Sequence, residues 1–503
     1  MEKGHHVLPQ DFEVGVGKLH CGVPTLDQTV FFPQDDNYSS DGESGHTSGN
    51  SSDGESSPSS TPEPDSRSEE DSRHTRFALN DDLSRAVGKP VISSTEFSSV
   101  PQLIHTLIEE GLESGSFLVT NLKSVVDQFK QWKAELPMVE PFYAVKCNPD
   151  VAVVRLLASL GCSFDCATMG EIDLVVNGLG DDYSFGPRDL AGKSIVYANP
   201  AKMDGMLKFA ISNGVRMTVF DGEDELYKIA KLGGHNMDLL LRLTTDDRAS
   251  VCRFSKKFGC PVDEAPKLLE VAKSLGLHVA GVSFHVGSGC GDSAAYTTAL
   301  EHSLRVFQAA EDIGMAPMTI VDLGGGFPGD TGGYGGEGMP TFQDLARAIR
   351  VGISHFAAKF KRPISDVRFI AEPGRYFVSA STMIATKVYA RKGGKNDYQA
   401  LYVDDGVYGS FNNVVYDHAN PVPQKLESLL KADDLGKSEV RIPSAVFGPT
   451  CDGLDQMCSL ETTMLPRCFV DDWIVWDNMG AYTHTASFVF NGYTHIPKKY
   501  HCE

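Results

Sequence analysis

Cysteines are few and carry no pairing pattern: the chain has 11, an odd number, with no CxxC spacing. That excludes a disulfide framework and a structural zinc site, leaves no metal expected, and points to a reducing compartment. Long apolar runs are missing as well, so no membrane-spanning segment is expected. The opening Met1-Glu2-Lys3-Gly4-His5-His6 lacks an apolar h-region and does not read as a secretory signal. Basic residues are in deficit, 45 Lys and Arg against 67 Asp and Glu for a net charge of −22. A surface of that sign repels phosphate, which sets aside nucleic acid and anionic membranes as partners. A soluble cytoplasmic protein is the expectation.

What is present supports two or three domains and a sizeable core, with 503 residues of which 41% are hydrophobic. The stretch 36–73 is built from Ser, Gly, Asp and Glu, with Tyr38 as its one large apolar residue and Arg67 and Arg73 as its basic ones. Such a composition cannot offset chain entropy, so the extension 1–76 is expected to be largely disordered. Its repeats Ser40-Asp41-Gly42-Glu43 and Ser52-Asp53-Gly54-Glu55 suit an acid-directed kinase or a plain solvated tail. Its Pro, Glu, Ser and Thr content also fits a degradation signal.

Order is expected from residue 77. A helix follows Pro101 and stops at Gly111, and a strand covers 117–120. Short apolar strands then fall at 142–145, 163–164, 195–198, 217–220, 239–243, 281–286, 319–323 and 368–371, separated by helical patterns such as 151–160, 223–232, 294–313 and 341–360. Alternation of this kind fits a (β/α)8 barrel over 121–380, with a doubly wound sheet as the alternative. Later strands at 383–390, 398–403, 440–447 and 473–476 form a β-rich domain of sandwich or Greek-key type over 381–503, to which 77–120 contributes.

One lysine organises the chemistry. Pro141-Phe142-Tyr143-Ala144-Val145-Lys146-Cys147-Asn148 is a buried strand ending in Lys146. Desolvation is expected to lower its pKa and free the amine for Schiff-base chemistry; snorkelling at a strand end is the plainer alternative. Barrel enzymes react at the carboxyl ends of their strands. Those ends carry Lys146, Asp165, Asn199, Asp221, Arg242, His285, Asp322 followed by Gly324-Gly325-Gly326, and Glu372 with Arg375. Strand termination explains the Asn and Asp positions but neither His285 nor three consecutive glycines. The glycines admit an anion close to backbone amides. In Glu372-Pro373-Gly374-Arg375 the guanidinium can clamp a phosphate, and Ser288 can add a hydroxyl. An imine-forming lysine with three phosphate features points to pyridoxal phosphate. Glu372 is placed to keep its ring nitrogen protonated, and His285 to stack on the ring, a satisfied core histidine being the alternative.

Further motifs occur in order: Phe164-Asp165-Cys166-Ala167, Tyr197-Ala198-Asn199-Pro200, His285-Val286-Gly287-Ser288-Gly289, Gly448-Pro449-Thr450-Cys451-Asp452-Gly453 and Asn478-Met479-Gly480-Ala481-Tyr482. Over residues 77–501 the chain closely resembles the eukaryotic ornithine decarboxylases, of the alanine-racemase-like group of pyridoxal phosphate enzymes. The resemblance implies that Lys146 bonds the cofactor, that Asp165 and Glu171 position it, and that Arg253 lies on the phosphate side. It also implies that His285 stacks on the ring and Glu372 pairs with the pyridine nitrogen. Ser288, Gly326, Arg375 and Tyr482 would hold the phosphate, with Gly324, Gly325, Pro373 and Gly374 against the cofactor. Tyr416, Asp417 and Asp452 would meet the distal amino group of L-ornithine, with Tyr408 and Phe490 beside it. Cys451 would reprotonate the α-carbon after carbon dioxide leaves, a buried structural thiol being the alternative. The product would be putrescine, opening polyamine synthesis.

Carboxylates suit a distal ammonium. The related diaminopimelate decarboxylase carries Glu-Ser after the matching cysteine where this chain has Asp452-Gly453, which favours a simple diamine. Lysine and arginine remain open as substrates. The family further implies a head-to-tail homodimer whose partner supplies Cys451 and Asp452, with the glycine-rich stretch 329–338 as a mobile loop near the interface or a disordered spacer. Lys202, Lys208, Arg216, Lys228 and Lys231 fall where the family's antizyme partner docks on a basic surface, although a charged barrel exterior is the ordinary explanation. Vertebrate members have a long C-terminal degradation tail beyond the stretch matching Phe490-Asn491-Gly492, which this sequence lacks. A non-catalytic antizyme inhibitor is the rival reading, but such proteins lose site residues that are kept here.

Overall fold

The short apolar segments of the middle region close on one another as parallel strands, each returned by an amphipathic helix. The computed structural model describes residues 80–93, 97–179, 194–329, 336, 338–393, 398–431 and 439–502. The extension 1–76, with its acidic repeats, and most of the loop 329–338 lie outside these residues.

In chain order the first strands are β1 (Val91–Ser93), β2 (Phe117–Asn121), β3 (Val139–Ala144), β4 (Ser163–Cys166) and β5 (Ile195–Tyr197). They are followed by β6 (Met217–Phe220), β7 (Asp238–Leu243), β8 (His278–Phe284), β9 (Ile320–Asp322) and β10 (Arg368–Ala371). Strands β3 to β10 make a closed eight-stranded barrel, sealed where Phe369 of β10 lies beside Val139 of β3. The barrel, rather than the doubly wound sheet, is therefore the fold of this region.

Its interior is a packed core, not a pore. Phe142, Val196, Met217, Val219, Leu240, Ala280, Ile320 and Ile370 fill it. Alternate residues, such as Tyr143, Phe164, Leu241 and Val321, face outward into the larger cluster shared with the helices. Side chains alternate along a strand, so the positions two beyond Leu240, Ile320 and Ile370 are also inward. These are Arg242, Asp322 and Glu372. On β4, with Phe164 outward, Asp165 is inward. Charged residues at the inward register of strand ends are what a barrel mouth requires. Lys146 stands one step further, in a 3-10 turn over Val145–Cys147 that follows β3.

The remaining strands are β11 (Thr382–Lys392), β12 (Gln399–Val403), β13 (Pro423–Lys425), β14 (Arg441–Phe447), β15 (Gln456–Cys458), β16 (Met464–Pro466), β17 (Trp473–Trp476) and β18 (Lys498–Cys502). With β1 and β2 they form a ten-stranded sheet ordered β1-β18-β2-β11-β12-β14-β15, to which β17, β13 and β16 pair laterally. β2 runs antiparallel to β11 and parallel to β18, which sews the segment before the barrel to the end of the chain.

Candidate active site

A cavity of about 520 Å³ opens at the carboxyl ends of the barrel strands. Its wall includes Lys146, Asn199, Arg242, His285, Ser288, Glu372, Tyr416, Asp417 and Tyr482. Lys146 donates to Asp165 Oδ2 in a short contact. The Asp165 carboxylate is fully buried, whereas the Lys146 side chain keeps 40% of its surface because it lines the cavity. Burial pulls the lysine pKa down, but Asp165 outweighs it, with help from Tyr482 and Glu372, and the ammonium is held well above the ordinary lysine range. This corrects the expectation of a desolvated, freed amine: the carboxylate, not burial, sets the charge of Lys146. Glu171, whose Oε2 accepts from Ala167 N at 2.6 Å, sits behind this pair, and burial raises its pKa.

Glu372 is buried with Asp322 and Asp165 as neighbours. Burial first, then those two carboxylates, push its carboxyl well above the usual range. Burial raises Asp322 as well, against donations from Gly324 N at 3.0 Å and Ser283 Oγ at 2.8 Å. His285 takes a hydrogen bond from Gly287 N on Nδ1 at 3.0 Å. Burial, with Arg242 and Lys146 nearby, holds it well below the ordinary histidine range, so the ring is neutral. Phe254 meets it edge-on at 4.8 Å. Gly325 packs against it: a Cβ there would stand 2.8 Å from Nε2. Gly324 (φ +62) and Gly326 (φ +111) take left-handed backbone, and a Cβ on Gly324 would fall 2.1 Å from the Phe284 carbonyl oxygen. Only glycines let this loop pass under the one that carries His285.

Arg375 opens the short helix Arg375–Val378 that follows Glu372-Pro373-Gly374. Its Nη2 reaches both oxygens of Asp417, at 2.7 and 3.0 Å, and Ser288 Oγ at 3.3 Å. Its guanidinium lies 5.0 Å over the Tyr482 ring. Gly374 must be small, since a Cβ would lie 2.9 Å from the Cys147 Cβ. Arg253 is exposed and donates to the Arg248 carbonyl at 2.7 Å. It does not line the cavity; its neighbours Cys252 and Phe254 do.

Cys451, Asp452, Tyr408 and Phe490 are not part of this wall either. They gather on the β domain. Tyr408 donates to Asp452 in a short contact and stacks on Phe490 at 4.3 Å. Cys451 is exposed. The loop is fixed by buried Asp455, which accepts from Val407 N at 2.8 Å, Thr450 N at 2.9 Å and Thr450 Oγ1 at 2.7 Å. A larger depression of about 690 Å³ beside it, lined by residues such as Val422, Leu454 and Met464, holds no lysine, histidine or carboxylate and carries no comparable chemistry.

Of the strand-end residues, Asp221 is structural, accepting from Gly259 N at 2.8 Å. Cys252, Phe254, Phe258 and Asn412 line the cavity without having been singled out from sequence. The signal for Phe254 was its place beside Arg253 in Val251-Cys252-Arg253-Phe254.

A lysine held by a carboxylate at a barrel mouth, with a buried carboxyl and a neutral imidazole beside it, is the equipment of an enzyme that works through a carbonyl cofactor. A family model described as pyridoxal-dependent decarboxylase, pyridoxal binding domain, matches residues 122–379, and the chain belongs to that family. Relatives in sequence include ornithine decarboxylase from Caenorhabditis elegans, 40% identical over 75% of this chain and 85% of that protein. Antizyme inhibitor 2 from Xenopus laevis is 39% identical over 81% of this chain and 88% of that protein. Among solved structures, the arginine decarboxylase of Paramecium bursaria Chlorella virus superposes with a TM-score of 0.70 at 31% identity, covering 80% of this chain and all of that one. The cofactor is pyridoxal phosphate, and the residues fit it. Glu372 Oε1 and Asp165 Oδ1 are buried without a hydrogen-bond partner among the described residues. A ring nitrogen and a cationic nitrogen are the groups such acceptors and acids would take, and Arg375, Ser288 and Tyr482 are the donors a phosphate would take.

Proposed function

We propose that the chain decarboxylates L-ornithine to putrescine and carbon dioxide, as a homodimer with shared sites. Pyridoxal phosphate, when bound, supplies an electron sink for the charge left at the α-carbon. Lys146 would hold it covalently, and Asp165 keeps that nitrogen charged and directed into the cavity. Glu372, buried with its pKa raised, can share a proton with a ring nitrogen. His285, neutral, offers an uncharged aromatic face. Arg375, Ser288 and Tyr482 would take the phosphate. Asp417, at the cavity wall, and Asp452, on the exposed loop, suit a distal ammonium. The Cys451 thiol can return a proton to the α-carbon.

The observation that carries this reading is the division of the functional residues. Lys146, His285, Ser288, Glu372 and Tyr482 line the barrel cavity, with Arg375 behind Ser288 and Asp417 of its wall, and a second set, Cys451, Asp452, Tyr408 and Phe490, is displayed on the β domain outside it. A head-to-tail second copy would bring the two together. Ten cysteines among the described residues are free thiols, which supports a cytoplasmic location.

A second reading, a non-catalytic antizyme-binding protein, is favoured by the match to antizyme inhibitor 2. The basic residues that the resemblance places toward antizyme support it in part. Lys208, Arg216 and Lys231 are exposed, but Lys202 is buried against Glu225 and Lys228 is paired with the same carboxylate. Equal amounts of putrescine and carbon dioxide released from L-ornithine, dependent on added pyridoxal phosphate, would establish the enzyme. Cofactor retention without release of either would favour the binding protein.

A further inference from the structure

The turn that carries Lys146 is held from behind by the end of the chain. Asn148 Nδ2 donates to Gly480 O at 2.9 Å, Tyr482 N to Cys147 O at 2.9 Å, and Thr485 Oγ1 to Lys146 O at 3.3 Å. Just beyond the turn stands Asp150, N-cap of the helix Val151–Ser159, whose Oδ1 accepts from Ala152 N at 2.9 Å. From β18, Lys498 Nζ reaches Asp150 Oδ2 at 2.7 Å, and Tyr500 OH lies 2.9 and 3.1 Å from the two carboxylate oxygens.

An N-cap is satisfied by one or two accepted backbone hydrogen bonds. Here the capping carboxylate, its side chain only 8% exposed, also takes an ammonium and a phenol from a strand of the other domain. That strand is not an edge. β18 lies between β1 and β2, with Tyr500 beside Val91 and Thr120. Its backbone is therefore fixed in the β sheet while its Lys498 and Tyr500 side chains reach the N-cap of the helix that follows the Lys146 turn. None of the three groups lines the cavity. Burial pushes the Asp150 carboxyl up, but Lys498, Tyr500 and the Ala152 amide together outweigh it and hold it below the usual range, so Asp150 is a carboxylate at neutral pH.

We propose that Asp150, Lys498 and Tyr500 form a positioning joint for Lys146. Docking of the C-terminal strand sets the turn on which the lysine stands, so Lys146 addresses the cofactor correctly only when the end of the chain is in place. This rests on the reading of Lys146 as the cofactor lysine.

The test uses the full chain loaded with pyridoxal phosphate. Lys498→Met keeps the stem and removes the ammonium. Cofactor affinity, read by absorbance, and kcat are each expected to fall by about tenfold, the scale on which outer partners of a bound group act, while the KM for the amino acid changes little. Lys498→Arg is expected to restore both. Tyr500→Phe removes one hydroxyl and is expected to move both readouts in the same direction by less; it decides the matter if Lys498→Met does not fold. Wild-type cofactor affinity and kcat in the folded variants, with only a lowered melting temperature, would overturn the proposal. A wild-type chain that holds the cofactor without turnover would overturn the decarboxylase reading alone, and cofactor affinity would still decide this one. A wild-type chain that holds no cofactor would overturn both.

Discussion

Lys146→Ala and Cys451→Ala each remove one half of the site, and the two inert variants are expected to rescue one another. Lys146 lines the barrel cavity, while Cys451 is exposed on a separate loop that Asp455 fixes in place. In a two-fold dimer, a Lys146→Ala chain still offers its loop and a Cys451→Ala chain still offers its barrel. Equal mixing with free exchange makes half the dimers mixed. Each mixed dimer has one intact site of two, so recovered activity is about a quarter of wild type. Activity against mixing ratio should rise to a single maximum at equal amounts. Product release would be followed after subunit exchange, with differently tagged chains to count mixed dimers. Background activity at every ratio, with mixed dimers demonstrated, would refute the shared site and require each chain to hold a whole one.

Asp165→Asn removes the main carboxylate that holds Lys146 charged and leaves burial opposed only by Tyr482 and Glu372. The pH at which cofactor incorporation is half-maximal should move down, and an unchanged or raised midpoint would contradict the assignment. Lys202→Met deletes a fully buried ammonium held by Glu225 at 2.9 Å, Val219 O at 2.8 Å and Asn199 O at 3.0 Å. Glu225 keeps Lys228 at 2.6 Å, so urea unfolding should show a loss of about 3 kcal/mol, the low end for a broken buried pair. Burial depresses His484 and His501 to about 4, against about 6.5 in the unfolded chain. Their stability contribution is full above the unfolded value and is lost as pH falls toward the folded one. The melting temperature should drop across that window, and His501→Leu should shrink the drop.

Much of the barrel was legible because its strands are short apolar runs and its helices are periodic. Their position at strand ends marked Arg242, Asp322 and Glu372 as barrel-mouth residues. What escaped the sequence depended on distances between elements. The charge of Lys146 is set by Asp165 on the next strand, and the sign of a pKa shift cannot be read without that contact. Lys202 reads as one of five surface basics, but Glu225 on the helix Glu223–Lys231 draws it inward. Strands β1, β13, β15 and β16 are three residues each, too short for alternation to show. The resemblance puts Arg253 on the phosphate side, whereas the flanking Cys252 and Phe254 face the cavity, a one-residue register that only the loop's path decides.

The most direct measurement is a competition. The full chain with pyridoxal phosphate is given equal L-ornithine, L-lysine and L-arginine, and the diamines formed are separated and counted. Putrescine in large excess, vanishing when the cofactor is withheld or when Lys146 is replaced by alanine, is the predicted result. Cadaverine or agmatine in excess would contradict the substrate assignment, and no diamine from a chain that retains its cofactor would contradict the enzyme itself.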